Sequence, residues 1–272
     1  MDITPKVSFV TVNYRMPHFI RNLFEGIEQA AWTFPFEYFL VDNDSKDGIP
    51  ALVRERFPWV SVREQENKGF GSGNNLAFQE AKGEYVILLN PDLTIFPGEV
   101  ERWIEWMDAH PEIAISGPRT LNPDRSDQLS CYAFPSLFTP VYRRTFLGAL
   151  PWAKRELRRF LMQDIDRTKE QDVDWIQGSA MCIRRSLLEQ IGGFDERFFM
   201  YFEDTDLCRR AWAAGARVTY TPSATLVHYH RRQSRVRHPW EILRNKMTRV
   251  HIQSALRYFW KYRGTPHPRA TT

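Results

Sequence analysis

The segment EYVILLNPDLTIF, Glu84 to Phe96, indicates the fold of this chain. Its run of Val, Ile and Leu predicts a buried strand, and Asn-Pro-Asp follows directly at the carboxyl end of that strand. An Asn-Pro pair also commonly opens a turn, so the segment taken alone is compatible with a simple turn. The rest of the chain distinguishes a turn from a ligand-binding strand end.

Short apolar runs alternate with helical patterns around this segment. The runs Val7 to Asn13, Glu37 to Asp42 and Tyr85 to Asn90 are strand-like, and the stretches between them place apolar residues at helical spacing. Such alternation indicates an α/β fold with a parallel sheet and right-handed crossovers. Ligands of these sheets bind beyond the carboxyl ends of the strands, which makes those ends the candidate site.

The composition sets further bounds on the protein. With 272 residues, 43% of them hydrophobic and 14% aromatic, the chain can form a substantial core. Its three cysteines, an odd number at no metal-ligand spacing, argue against a disulfide framework or zinc site and favour a reducing compartment. No charged-then-apolar leader and no apolar run of about 18 residues is present. We therefore expect a protein that is neither secreted nor membrane-spanning.

The net charge of +4 is unevenly distributed. From Arg231 to Thr272 there are eleven Lys and Arg against one acid, a net +10, whereas the preceding residues carry 26 bases and 32 acids, a net −6. The basic tail also contains apolar and aromatic residues, as amphipathic helices at anionic membrane surfaces do. A solvated face on a packed helix is the alternative. Because no nucleic-acid-reading motif accompanies the charge, we expect no nucleic-acid partner.

Polar side chains cluster at the predicted strand ends. The second strand ends in VDNDSKDG, which includes Asp42 and Asp44, and the later one ends in Asn90, Pro91 and Asp92. Between them lies ENKGFGSGNN, whose glycines would let the backbone approach a ligand and whose asparagines offer amide hydrogen bonds. Each cluster alone could be a cap or a turn. Three clusters at successive strand ends indicate a ligand site.

Two common nucleotide-binding motifs do not match these clusters. A dinucleotide fingerprint follows the first strand of its sheet, but the first strand here ends in VNYRMP. A P-loop requires Gly-Lys followed by Ser or Thr, which does not follow the glycine-rich loop. Nicotinamide binding and P-loop hydrolysis are therefore disfavoured.

Six motifs follow one another along the chain: Val-Asp-Asn at the second strand end (41–43), NKGFGSGNN (67–75), LLNPD (88–92), WIQGSAMCIRR (175–185), GGFDERFFMYFEDTDLCRR (192–210) and LVHYH (226–230). In this order they resemble the motifs of family-2 glycosyltransferases of the GT-A fold. They are most similar to the bacterial rhamnosyltransferase-like branch, whose members extend cell-wall or O-antigen glycans on a lipid carrier. The resemblance spans about residues 7–234, and residues 136–170 and the tail fall outside it.

The resemblance implies an α/β, GT-A (Rossmann-like) fold with a mostly parallel sheet flanked by helices and a basic C-terminal helical extension. The glycosyltransferase domain would cover residues 1–234. Its nucleotide-binding half would end at about residue 118, and its acceptor and catalytic half would occupy about residues 119–234. Residues 235–272 would form the basic amphipathic extension.

The resemblance also assigns the donor and metal sites. Asp92 occupies the last position of the family's Asp-x-Asp metal motif, but Asn90 stands at the first position. A single carboxylate would then anchor Mg²⁺ or Mn²⁺, with His228 as a further ligand and His230 as its rival, so we expect tight metal binding only with nucleotide. Asp42 would hydrogen-bond the nucleobase of the donor. The nucleotide-binding residues implied are Asp42, Asp44, Asn67, Gly69, Asn74, Asn90 and Asp92.

Glu203 and Asp204 lie in the opening turn of a predicted helix and are the implied catalytic acids. Acids at this position also stabilise a helix dipole, which is the alternative role. With an ordinary pKa near about 4, Asp204 would be ionised at neutral pH and act as general base, with Glu203 or Asp195 in reserve. The implied acceptor-side wall consists of Trp175, Gly178 and Ser179, although a core tryptophan is the alternative for Trp175.

The expected function is an inverting transfer of L-rhamnose from dTDP-L-rhamnose to a lipid-linked or polysaccharide acceptor of the bacterial cell envelope. We expect a cytoplasmic enzyme that is peripheral on the inner face of the cell membrane. Alternatives are another donor such as a UDP-hexose, or a non-catalytic nucleotide-sugar-binding subunit without a working acid at Asp204. A nucleotidyltransferase would need a basic glycine-rich loop near its amino terminus, which VTVNYRMP does not provide.

Overall fold

The structure is a computed structural model that describes residues 4–30, 32–229 and 245–270. The strands of these residues are β1 (Val7–Asn13), β2 (Phe36–Asp42), β3 (Val60–Glu64), β4 (Tyr85–Leu89), β5 (Leu93–Thr94), β6 (Ile113–Leu121), β7 (Asp127–Gln128), β8 (Cys131–Tyr132), β9 (Gln171–Asp172), β10 (Trp175–Ile176), β11 (Ala180–Arg184) and β12 (Arg217–His228). The helices are α1 (Pro17–Gln29), α2 (Ile49–Arg56), α3 (Phe70–Phe78), α4 (Glu99–Ala109), α5 (Thr139–Tyr142), α6 (Pro151–Phe160), α7 (Arg185–Ile191), α8 (Glu203–Ala213) and α9 (Lys246–Lys261). Two short 3-10 segments cover Phe146–Ala149 and Pro268–Ala270.

One large sheet organises the fold, with its main strands in the order β3-β2-β1-β4-β11-β6-β12-β5. The four strands β3, β2, β1 and β4 are parallel. Strand β11 is antiparallel to both β4 and β6, while β6 and β12 are parallel. The predicted α/β fold with a mostly parallel sheet flanked by helices is therefore confirmed, and the antiparallel β11 joins its two parallel parts.

Helices cover both faces of this sheet. Successive side chains of β1 point to opposite faces, so Phe9 lies in the apolar cluster under α1, α2 and α4, whereas Val10 lies in the cluster under α3, α7 and α8. A strand covered on both faces carries a continuous apolar run, which is why its bounds were predictable from sequence. The same reasoning predicted the strand that ends before Asn90.

The tail helix α9 packs on the domain. Ala255 and Tyr258 on one side of α9 form a third apolar cluster with Phe198 and Phe202, which precede α8. The opposite side of α9 exposes apolar residues, and contact of the basic tail with a membrane stays a prediction. The predicted extension begins at residue 235, and its first part lies outside the described residues. Within the parts of the chain that are described, no helix is long and apolar enough to cross a membrane.

Candidate active site

Strands β1 and β2 end side by side and bring two polar side chains together. Asn13 and Asp42 are register partners in the parallel pair. The Asn13 amide donates a hydrogen bond to Asp42 Oδ1 at 2.7 Å, and the Ser45 backbone N–H donates to Asp42 Oδ2 at 2.9 Å. Both carboxylate oxygens of the buried Asp42 are therefore held by neutral donors, which fix its orientation.

A pocket of about 440 Å³ lies next to Asp42, at the amino end of α2. Its volume is in the range of small-molecule sites. The lining combines acids and bases, including the predicted Asp44 and the cationic Lys46 and Arg54. This pocket is large enough for a nucleobase, and Asp42 is among the residues that line it.

The glycine-rich loop packs tightly against protein. A Cβ at Gly69, which has φ +107°, would lie 2.1 Å from the backbone oxygen of Phe199. A Cβ at Gly71 would lie 2.9 Å from Phe194 Cβ. These side-chain-free positions are needed for packing against the segment that precedes α8, and a close approach of a ligand to the loop stays a prediction.

The asparagines of this loop also bond within the protein. The Asn67 side chain accepts a hydrogen bond from the Gly69 N–H at 3.1 Å, and the Asn74 side chain donates to the Phe70 oxygen at 2.9 Å. These contacts order the loop. A role of Asn67, Gly69 and Asn74 in nucleotide binding stays a prediction.

Asp92 and His228 meet because two distant segments pair. Strand β5 runs antiparallel to the end of β12, with Leu93 opposite His228. The Tyr229 N–H also donates a hydrogen bond to the backbone oxygen of Asp92 at 2.9 Å. This pairing places His228 Nε2 3.2 Å from Asp92 Oδ1. His228 is 1% exposed, so the pair lies at the inner end of the site.

Gln128 sets the tautomer of His228. The Gln128 amide nitrogen donates to the Asn122 side-chain oxygen at 2.8 Å and to the His228 backbone oxygen at 3.1 Å, which fixes the amide orientation. Its Oε1 therefore faces His228 Nδ1 at 2.6 Å and must accept that ring proton. His228 thereby directs Nε2 toward a carboxylate oxygen, and an imidazole nitrogen beside a carboxylate is a donor pair that a divalent cation accepts.

The donor set suits a hard divalent cation with only two protein ligands. Among the described residues there is no group of three or more His, Cys, Asp and Glu that could hold a metal ion. Mg²⁺ and Mn²⁺ accept oxygen ligands from substrate phosphates and water at their remaining positions. The expected need for nucleotide in tight metal binding stays a prediction. The rival ligand His230 lies outside the described residues.

The acids Glu203 and Asp204 open α8 after an unusual backbone turn. Tyr201 and Phe202 both have positive φ, 69° and 70°, which L-residues adopt at a cost of about 1–3 kcal/mol each. Contacts to α9 oppose this strain, because Ser254 Oγ donates to the Met200 oxygen at 2.9 Å and the Tyr258 and Phe202 rings pack 5.2 Å apart. The tail helix thus supports the turn that presents the acids.

The two acids have different surroundings. Asp204 is half-buried, and its carboxylate accepts hydrogen bonds from the Gly178 N–H at 3.1 Å and the Thr205 N–H at 2.7 Å. Glu203 is buried, and its Oε2 has no hydrogen-bond partner within the described chain. Burial raises the pKa of both carboxyls, and the charge of Asp204 raises the pKa of Glu203 further. The pKa of Glu203 is raised further than that of Asp204, so Asp204 ionises first as the pH rises.

The expectation of an ordinary aspartate pKa for Asp204 is consequently wrong, since its pKa is raised. Asp195, the reserve base, has the opposite character, because the Arg197 guanidinium holds the pKa of that carboxyl well below its usual range. Lys261 of α9 also donates to Asp195 Oδ2 at 2.7 Å. These contacts give Asp195 a structural role at the carboxyl end of α9.

The predicted acceptor wall adjoins Asp204. The Trp175 ring stacks on Tyr132 at 4.5 Å and its Nε1 donates to the Ala133 oxygen at 3.0 Å, so one indole face is covered and the ring is fixed. The Gly178 N–H contacts Asp204, and the Ser179 oxygen accepts from the Asn90 N–H at 2.8 Å. Gly178 and Ser179 therefore connect the acid to the Asn-Pro-Asp strand end.

The mostly parallel sheet flanked by helices, with polar side chains at its strand ends, has the architecture of the GT-A fold. Solved structures share the fold. The chain matches GalNAc-T7 with UDP, GalNAc and Mn²⁺ at a TM-score of 0.62 and 15% identity, covering 85% of this chain and 45% of that one. It matches the mannosyltransferase PcManGT from Pyrobaculum calidifontis, with GDP-Man and Mn²⁺, at a TM-score of 0.57 and 18% identity, covering 99% and 79%.

Sequence comparison identifies the family to which the chain belongs. The Glycosyl transferase family 2 model matches residues 8–192. The N-acetylglucosaminyl-diphospho-decaprenol L-rhamnosyltransferase of Mycobacterium tuberculosis is 32% identical over 250 residues, covering 87% of this chain and 80% of the relative. Rhamnosyltransferase WbbL of Escherichia coli K12 is 25% identical and covers 94% of both chains. The chain belongs to glycosyl transferase family 2 and is a glycosyltransferase.

Sequence reasoning missed several residues of the site. Asn13 ends an apolar strand just as Asn90 does, so its position was a usable signal. Ser45 lies in the VDNDSKDG cluster but acts through its backbone N–H and its hydroxyl, which accepts a bond from Asn13 at 3.0 Å. Gln128 gave no signal, because it lies in a short strand 100 residues from His228.

Proposed function

We propose that the protein is an inverting glycosyltransferase that moves L-rhamnose from dTDP-L-rhamnose to a lipid-linked acceptor in bacterial cell-envelope glycan synthesis. The rhamnose donor and the lipid-diphosphate acceptor are suggested by the mycobacterial relative, and rhamnose also by WbbL. The observation that carries a catalytic role is the line of contacts from Asp204 through Gly178 and Ser179 to the strand end at Asn90.

The nucleotide side would bind the donor through preset hydrogen-bond acceptors. Asn13 and Ser45 hold Asp42 against the pocket, so that it meets the base without side-chain reorganisation. Asn90 at the neighbouring strand end would bond ribose or phosphate oxygens. Asp92 and His228 would hold Mg²⁺ or Mn²⁺, which when bound neutralises charge on the leaving diphosphate.

Asp204 would act as the general base. A sugar hydroxyl is a weak nucleophile, so its proton must pass to a positioned carboxylate as it attacks the anomeric carbon. The Gly178 and Thr205 N–H groups keep Asp204 ionised and oriented, while the protonated Glu203 adds no second charge beside it. Attack from the face opposite the leaving diphosphate inverts the anomeric centre. Asp204 then releases its proton to solvent.

The same site is compatible with another hexose donor. The low-salt glycan biosynthesis hexosyltransferase Agl10 of Haloferax volcanii is 30% identical over 216 residues, covering 75% of this chain and 61% of the relative. This likeness keeps UDP-hexoses as the alternative. A non-catalytic subunit is less suited to the observations, because it has no use for a buried acid pair with raised pKa values.

A thermal-shift screen of nucleotide sugars with and without Mn²⁺ tests the donor. A ligand that binds only the native state raises the unfolding midpoint, so dTDP-L-rhamnose should stabilise the protein more than dTDP-glucose or UDP-hexoses, and more with Mn²⁺. Greater stabilisation by a UDP-hexose would reassign the donor. Binding without turnover on any lipid-diphosphate acceptor would favour the non-catalytic alternative.

We also propose that the tail contacts an anionic membrane surface. Ile252, Leu256 and Trp260 follow one another by four residues along α9 and are 40–65% exposed. Because Tyr258 packs in the domain, removal of residues 236–272 would disturb the fold as well as the surface. Leu256→Ser with Trp260→Ser is the cleaner test and should weaken binding of the full chain to anionic vesicles by several-fold. Unchanged binding at low salt would exclude this face.

A further inference from the structure

A second exposed apolar surface lies in residues 136–160, which we call the aromatic insert. Eleven large hydrophobic side chains are exposed in the described parts of the chain, and eight of these belong either to the insert or to α9. Phe146 is 85% exposed and Trp152 is 62% exposed. Exposed apolar side chains concentrated in this way mark interaction surfaces. The exposed members in the insert are Leu137, Phe138, Val141, Phe146 and Trp152.

The insert has a defined conformation that does not require these side chains. Its end residue Phe160 is buried, and the Phe160 oxygen accepts from the Ala133 N–H at 3.0 Å. Arg159 Nη2 donates to the Phe134 oxygen at 2.9 Å, and Glu156 bonds both Arg159 and Thr139. A Cβ at Gly148 would lie 2.3 Å from the Tyr142 oxygen, so the connection between α5 and α6 is tightly folded. The exposed aromatics are thus presented outward by a packed scaffold.

The charge of the insert indicates which kind of partner its exposed surface contacts. Residues 136–160 contain six Lys and Arg and one acid, a net charge of +5. Exposed Trp and Phe interspersed with cations are typical of elements at an anionic lipid interface, because the cations are attracted to the negative surface potential. Exposed aliphatic side chains such as Leu137 and Val141 suit acyl chains better than nucleobases. An anionic bilayer therefore fits this surface better than a nucleic acid.

The position of the insert relates it to the acceptor wall. Phe160 stacks on Tyr132 at 5.4 Å, and Tyr132 stacks on Trp175 at 4.5 Å. The insert also adjoins α9. Burial lowers the pKa of His251 in α9 to about 3, and the nearby charges of Arg144 and Arg143 lower it as well. The insert consequently lies between the acceptor wall and the helix whose outer side is also apolar.

We propose that the aromatic insert is a second membrane-contacting element, which seats Phe146 and Trp152 in the interface of an anionic bilayer beside the acceptor wall. The contact itself follows from the exposure and charge of the insert. Its use, which is to bring the wall to the headgroup of a lipid-diphosphate acceptor, rests on the proposed function. The tail and the insert then hold the enzyme at two points, which orients the site relative to the membrane.

Vesicle binding of the full-length protein tests the contact without donor or acceptor. Phosphatidylcholine vesicles with about one-third phosphatidylglycerol should bind the wild type at low salt, and Phe146→Ser with Trp152→Ser should weaken the partition by roughly tenfold or more. Phe96→Ser removes an aromatic side chain that is 47% exposed outside the insert and is the control, expected to bind as the wild type. Circular dichroism and the thermal midpoint verify that each variant is folded.

Wild-type binding by the double variant overturns the proposal, as does an equal loss in Phe96→Ser. Failure of the wild type to bind vesicles also overturns it and would leave a protein or RNA partner to explain the surface. A transfer assay separates this result from the proposed function. The double variant should lose transfer to a vesicle-embedded acceptor but retain transfer to a short-chain water-soluble one. If no acceptor is used while vesicle binding still depends on Phe146 and Trp152, the insert is confirmed and the proposed function fails.

Discussion

The nucleotide side and the acid side of the site hold negative charge in different ways. On the nucleotide side, Asp42 is buried with a neutral hydrogen-bond donor on each carboxylate oxygen. On the acid side, Glu203 is buried with an oxygen that has no partner in the described chain, next to the ionised Asp204. A stabilised carboxylate suits binding, whereas neighbouring acids with displaced pKa values are typical of sites of proton transfer. The difference supports the proposal that donor recognition lies at one strand end and proton transfer at the start of α8.

Asp204→Asn removes the proposed general base and should have the largest effect of the substitutions considered. We expect turnover to fall by roughly 10²-fold or more, the usual contribution of a general base, with donor affinity unchanged because Asp42 and Asp204 are held by different hydrogen-bond donors. Transfer rate beside donor calorimetry measures both, and the exposed Asp164→Asn is the control. Near-wild-type transfer would move the role to Glu203 and break the comparison.

Asp92→Asn tests the nucleotide side. The substitution removes the carboxylate of the His228 pair, so metal-dependent donor binding should weaken by at least about tenfold, the lower end of the loss seen even for outer-shell partners of metal ligands. Mn²⁺ titration in the presence of the nucleoside diphosphate provides the measurement. Unchanged affinity would remove Asp92 from the metal site, whereas Asp164→Asn, at an exposed position outside the proposed donor and metal sites, should leave the metal dependence intact.

The pH profile of kcat/KM sharpens the contrast. A general base must be ionised, and the pKa of Asp204 is raised by burial. Activity should therefore fall as pH drops through this raised pKa, by about tenfold per unit below it, and the decline should begin at a higher pH than an ordinary aspartate near about 4 allows. A decline confined to the ordinary carboxylate range would show that burial does not perturb the base.

Glu203→Gln should have the smallest effect and should be stabilising. Because the folded-state pKa of Glu203 is raised, the unfolded chain ionises first as pH rises, so the folded state loses stability between the ordinary and the raised pKa. Glutamine removes that loss. We expect a midpoint increase of roughly 2–4 °C at pH 8, the shift produced by about 1 kcal/mol in a domain of this size, and a smaller one at pH 5. A lower midpoint at pH 8 would contradict the raised pKa.

The sequence predicted the features that depend on local pattern. Strand β1 was bounded correctly because both faces are buried, and Glu203 and Asp204 were placed in the first turn of α8 from its apolar spacing. Features that depend on distant pairing could not be predicted. The tautomer of His228 requires the bond to Gln128, and the raised pKa of Asp204 requires burial by segments far along the chain. The need for glycine at position 69 could not be predicted either, because it depends on the close backbone oxygen of Phe199.

Strand β11 has a consequence for engineering. It lies between β4 and β6, so residues from the second half of the chain complete the hydrogen bonding of a strand from the first half. A fragment ending near residue 118 would cut β6 and leave β4 as an exposed apolar edge, which is prone to aggregation. Donor specificity is therefore better altered by substitutions around the Asp42 pocket than by exchanging the amino-terminal half with that of a relative.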